Sequence, residues 1–108
     1  MKDQMQISRM NTALLDIEAE RVRQVEKEGW TQAHDDSHKD GQLADAAACY
    51  AATESSVMYA SEGGMMYDLW PANWDRKWNK RSKHDRRRQL VIAGALIVAE
   101  LERLARGK

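Results

Sequence analysis

The chain has 108 residues, enough for one domain with one modest core. A hydrophobic share of 43% excludes a disordered chain, and a single proline with six glycines argues against many short strands and turns. The formal net charge is zero but unevenly placed. Up to Asp75 there are 6 Lys and Arg against 14 Asp and Glu, net −8; from Arg76 onward there are 11 against 3, net +8. Two poles that attract each other in the fold account for this split, and so does a basic pole that seeks phosphates. Cys49 is the only cysteine, so no internal disulfide forms and a reducing cytosol is expected. The opening "MKDQMQISRMNTALL" holds no long apolar run, which predicts neither a signal peptide nor a membrane span.

The first predicted helix covers about Arg9 to Glu28, with Ser8 or Asn11 as N-cap. Leu14, Leu15, Val22 and Val25 fall on one face, and Glu18 lies in its middle with Arg21 on the flank. A carboxylate on a core face costs several kcal/mol unless it is paired or holds a metal. Glu18 therefore marks a polar pocket, an ion pair with Arg21, or a helix turned toward water.

The next segment, "EGWTQAHDDSHKDG", crowds Asp35, Asp36 and Asp40 with His34 and His38. It lacks a zinc pattern, because Cys49 stands alone and no second histidine pair exists. Carboxylates without thiolates favour a hard ion such as Mg²⁺. The plainer alternative is a solvated loop that caps the helix beyond it. That second helix is predicted over about Asp40 to Tyr59, capped by Asp40. Its face is Leu43, Ala46, Ala47, Tyr50, Ala51, Val57 and Met58, with Glu54 in the middle. Asp36 can join Glu54 only if the segment folds back over the helix or a neighbouring subunit supplies it.

An irregular connection, "SEGGMMYDLWPANWDRKWNKR", follows, with a short helix expected around Asp75 to Asn79. Trp70, Trp74 and Trp78 are spaced by four and interleaved with Arg76, Lys77, Lys80 and Arg81. Such a stripe either packs a core or stacks a base beside a phosphate. The third helix is predicted over Lys83 to Arg106, with Ser82 as N-cap and Asp85 three residues on. Leu90, Ala93, Gly94, Ile97, Leu101 and Leu104 form its face, and Gly94 permits close approach. Lys83, Arg86 and Arg87 sit in its first turn, suited either to an anion at the helix N-terminus or to solvent and acidic partners. Ile92, Leu96 and Ala99 extend the apolar surface to another side, which predicts a homo-oligomer through them. No segment alternates with period two. The chain reads as one all-α domain over residues 1–108, a compact bundle of three to four helices with an irregular Trp-rich connection.

The stretches "ERVRQVEKEGWTQAHDDSHKDGQLADAAACYA" and "DRRRQLVIAGALIVAELERL", with a Trp-Pro segment between them, resemble a group of small phage and prophage proteins. Those are related in pattern to the all-α nucleoside triphosphate pyrophosphohydrolases, the MazG-like superfamily. The resemblance covers about Leu14 to Leu104. It implies a helical, oligomeric, Mg²⁺-dependent enzyme that splits a nucleoside triphosphate into monophosphate and pyrophosphate, in the cytoplasm of a host cell. The superfamily's ExxE would fall on Gln42 to Asp45 and its ExxD on Gln89 to Ile92, where amides and an isoleucine replace acids. In the catalytic reading Glu18, Asp36 and Glu54 hold Mg²⁺, and Asp35 serves as general base with Glu18 beside it. Lys83, Arg86 and Arg87 then hold the polyphosphate, and Trp74 stacks the base. The alternative on the same fold binds a nucleotide or a host protein without turnover.

Overall fold

The computed structural model describes residues 4–53, 70–71 and 73–107. Among the described residues, the regular structure is four α-helices and two short 3₁₀ turns, and no strand occurs. The all-α bundle read from the sequence is the fold observed.

Helix α1 spans Gln4–Lys27, with no glycine or proline to interrupt it. It starts a turn before the expected Arg9, so Ser8 and Asn11 are interior positions and not caps. Gly29 stops the helix at φ +74°, a value that costs a residue without Cβ little. The turn lets the Trp30 N–H donate back to the Gln24 carbonyl at 2.9 Å, which folds Trp30 over the helix end. Helix α2, Gln32–Asp36, is one short helix capped by Thr31, whose hydroxyl accepts from the His34 N–H. It occupies the stretch read as a loop or metal segment. Helix α3 spans Gln42–Ala51, and its N-cap is Gly41 at φ +85° rather than Asp40. The continuation expected as far as Tyr59, with Val57 and Met58, lies outside the described residues.

The 3₁₀ turn Arg76–Trp78 sits inside the short helix expected there and is capped by the Asp75 carboxylate. A second turn, Arg81–Lys83, leads into helix α4, Arg86–Ala105. Asp85 and not Ser82 is the N-cap of α4, accepting from the Arg88 N–H at 2.8 Å.

The core lies between α3 and α4. Leu43, Ala46, Ala47 and Tyr50 meet Ile92, Ala93, Leu96 and Ala99, with Trp70 and Trp74 closing one end. The face expected for α3 is the one buried. For α4 the expectation is reversed in part. Ile92, Leu96 and Ala99 are core residues of this chain and not an oligomer face, while Leu90, Ile97, Leu101 and Leu104 are exposed. The alanine side of α4 seats closely on the alanine side of α3, and the bulkier stripe is left outside. Helix α1 crosses α4 at Gly94, where a Cβ would lie only 2.8 Å from Ile17 Cδ1. Its apolar stripe, Leu14, Leu15, Val22 and Val25, is exposed, and the buried side is polar: Glu20, Arg21 and Gln24. No helix among the described residues is long and apolar enough to cross a membrane.

Candidate functional site

The polar side of α1 explains itself through its partners. Arg21 donates to the Asp35 carboxylate at 2.5 Å, to Glu102 at 2.9 Å and to the Trp30 carbonyl at 3.3 Å. One guanidinium thus fastens α2, α4 and the end of α1 together, which matches its fixed fork of donors. The preceding residue, Glu20, accepts two hydrogen bonds from Arg23, at 2.8 and 3.0 Å, one from the Gln24 amide at 3.2 Å and a further one from Arg88. Burial would raise the Glu20 carboxyl pKa, but the bonds and charges of Arg23, Arg88 and Gln24 together hold it below its ordinary value. Arg23 also pairs with Glu28 at 2.9 Å.

From Asp35 a chain of aromatic rings runs outward. His34 and Trp30 stack with ring centres 5.6 Å apart and nearly parallel planes. His34, His38 and Trp74 follow edge to face at 4.6 and 4.9 Å, and Trp74 meets both Trp70 and Trp78. The hydrogen bonds along the chain fix the histidine tautomers. The Trp74 Nε1–H can only donate, so His38 Nδ1 accepts it at 3.3 Å. A neutral His38 then carries its proton on Nε2 and donates to His34 Nε2 at 3.4 Å. His34 is left with its proton on Nδ1, which donates to Asp35 at 3.0 Å. Burial, with the nearby His34, lowers the His38 pKa and favours this neutral form.

These groups surround a cleft of about 310 Å³. Trp30, His34, Trp74 and Trp78 supply aromatic walls, and Tyr50 and Ile92 join them from α3 and α4. Glu20, Gln24, Arg23 and Glu28 line it from α1, and Lys80 and His84 from the connection. The Tyr50 hydroxyl accepts from the Lys80 N–H at 3.0 Å, which holds the 3₁₀ segment against α3. Gln24 is fully buried, and its Oε1 has no hydrogen-bond partner among the described residues.

The structure brings two of the sequence-predicted residues, Asp35 and Trp74, into this one network. Asp35, expected as a general base, is fully buried and paired with Arg21. Glu18 is exposed on α1, because the helix turns its other face inward. Asp36 accepts from Arg106 at 2.7 Å, and Glu54 lies outside the described residues. Arg86 donates to the Ala51 and Ala52 carbonyls at 2.7 and 3.0 Å, so it caps the C-terminus of α3. Arg87 pairs with Asp16 at 2.7 Å, and Lys83 is an exposed residue of the second 3₁₀ turn. The amides Gln42 and Gln89, where the resemblance would place acids, also have partners. Gln42 accepts from the Asp40 N–H, and Gln89 donates to the Arg81 and His84 carbonyls.

Glu20, Arg23, Gln24 and Trp30 were not among the expected site residues. Glu20, Arg23 and Gln24 recur at i, i+3, i+4 as a polar patch on α1, whereas periodicity assigns the apolar stripe opposite them to the inside; Trp30 follows the helix end. Compared with known protein families, curated proteins and solved structures, the chain matches none.

Proposed function

We propose that this chain binds a nucleotide in the aromatic cleft. One observation carries the reading: three indole rings and an imidazole wall a space whose rim holds Arg23 and the exposed Lys80. A volume of about 310 Å³ is at the small end for ligand sites, of the size that takes a base and sugar and leaves phosphates outside. Base stacking on an aromatic side chain contributes about 1–3 kcal/mol, and a cation at the mouth suits the phosphates that follow. In the same reading the chain works as a homo-oligomer, since α1 and α4 leave apolar stripes exposed.

Mg²⁺-dependent hydrolysis to monophosphate and pyrophosphate is the second reading. It draws on the resemblance and on Glu28, a partly exposed carboxylate lining the cleft. The neighbouring Glu20 argues for binding over turnover, because Arg23 and Arg88 already neutralise it. A host-protein partner, the third reading, would occupy the exposed stripes and need no nucleotide.

Titration of nucleoside triphosphates, with and without Mg²⁺, tests all three. Binding is expected to quench tryptophan fluorescence and raise the melting temperature. Trp78→Ala removes a ring that is 48% exposed and should weaken binding at least about tenfold with little loss of stability. Pyrophosphate release would establish hydrolysis. No quench and no shift at millimolar nucleotide would reject the nucleotide reading.

A further inference from the structure

We propose that Gln24 reads the base, and that the ligand class is a nucleotide with an exocyclic amine at the pairing edge, a 6-aminopurine or a 4-aminopyrimidine. The inference rests on the nucleotide reading of the cleft and adds the chemistry that selects among bases.

Gln24 is fully buried yet lines the cleft. Its amide orientation is fixed by Glu20. A carboxylate only accepts, so the amide must turn its NH₂ toward Glu20 Oε2, at 3.2 Å. The flipped amide would set two oxygens against each other. Oε1 therefore points away from Glu20, and no described residue donates to it. An unmet buried acceptor is destabilising, so a native structure that keeps one has a use for it or a partner from outside.

Two of the donors in the cleft wall are already committed. The Trp74 indole N–H goes to His38, and the Arg23 guanidinium goes to Glu20 and Glu28. The Tyr50 hydroxyl lies between the Trp78 carbonyl and the Lys80 N–H. What enters must bring its own N–H to Gln24. Adenine N6 and cytosine N4 each present one. Hypoxanthine and uracil present a carbonyl at the same place, lone pair against lone pair. Such a base can offer Gln24 only its ring N–H, and the carbonyls flanking that group then sit close to the same Oε1 lone pairs. The site thus favours a base that brings an amine to this acceptor.

The test uses calorimetric titration of the full chain with two matched pairs, ATP against ITP and CTP against UTP, without Mg²⁺. Each pair shares sugar and phosphates and differs at the amine. The amino member of at least one pair is expected to bind at least about tenfold tighter, the effect of one buried hydrogen bond. Gln24→Met should bring that nucleotide down to its oxo partner's affinity and leave the oxo partner unchanged. A difference below tenfold in both pairs overturns the Gln24 inference while nucleotide binding stands. If none of the four binds at millimolar concentration, both the inference and the nucleotide reading fail. The comparison on the unaltered chain decides even if Gln24→Met does not fold.

Discussion

Asp35 sits at zero exposure with a guanidinium on one oxygen and an imidazole on the other. Breaking such a pair leaves a charge in the interior, which costs far more than the pair itself contributes. The arrangement therefore orients groups more than it stabilises them. It holds His34 in one tautomer, His34 holds His38, and His38 holds the Trp74 indole at the cleft. The weak point is His38. Its protonated form would turn an Nδ1–H against the Trp74 N–H, and burial already disfavours that form. A histidine whose folded pKa lies below its unfolded value of 6.5 takes up protons more readily in the unfolded chain. Its contribution to stability is complete above pH 6.5 and is lost as pH falls from there through the folded pKa. We expect the melting temperature to drop as pH is lowered below 6.5, and the drop to be smaller in His38→Gln. An NMR titration placing the His38 pKa at or above 6.5 would contradict this.

At the scale of the helix, α1 and α4 cross where Gly94 admits Ile17. Alanine is a better helix former than glycine by about 1 kcal/mol, so glycine here is retained for space. A Cβ at this position meets Ile17 Cδ1 at 2.8 Å and Cγ1 at 3.0 Å. Gly94→Ala is expected to be neutral or to cost about 1 kcal/mol in the native background, the contact offsetting the propensity. On an Ile17→Ala background the same change should stabilise by about 1 kcal/mol, as propensity alone dictates. Urea denaturation of the four chains measures the coupling, and equal effects in both backgrounds would show that the contact has no energetic weight. The close approach at Gly94 was legible in the sequence, and so was the α3 face, because Leu43, Ala46, Ala47 and Tyr50 recur at helical spacing with no rival stripe. Helix α1 carries two stripes, and periodicity alone selects the apolar one. The fold buries the polar one because its partners lie far away in sequence: Asp35 and Glu102 for Arg21, and Arg88 for Glu20. No local rule sees those pairs. The site was missed for the same reason, since the inward turn of Glu20 and Gln24 follows from that choice of face. Trp74 and Asp35 were found by residue type, and their linkage through two histidines required the short helix α2.

For the molecule as a whole, the split charge finds its outlet inside the chain. Arg87 with Asp16, Arg88 with Glu20 and Arg106 with Asp36 each join the basic C-terminal helix to the acidic N-terminal half. Lys80, exposed at the cleft, takes no part in these three pairs. What the fold does not neutralise is apolar surface. Leu14, Leu15, Val22 and Val25 on α1, with Leu90, Ile97, Leu101 and Leu104 on α4, are between 38 and 61% exposed. Val22, Val25 and Glu102 line one shallow groove, so the α1 stripe runs up to α4. These eight side chains present on the order of several hundred Å² of apolar surface, at or above the largest patch of an ordinary monomer. We expect the 12.4 kDa chain to self-associate through this surface rather than through Ile92, Leu96 and Ala99, which the core already uses. Light scattering at micromolar concentration should give a mass of at least two chains. Leu14→Lys combined with Leu101→Lys should return a monomer with unchanged helicity, because both positions are exposed in the single chain. A native chain that stays monomeric at that concentration would reject this expectation.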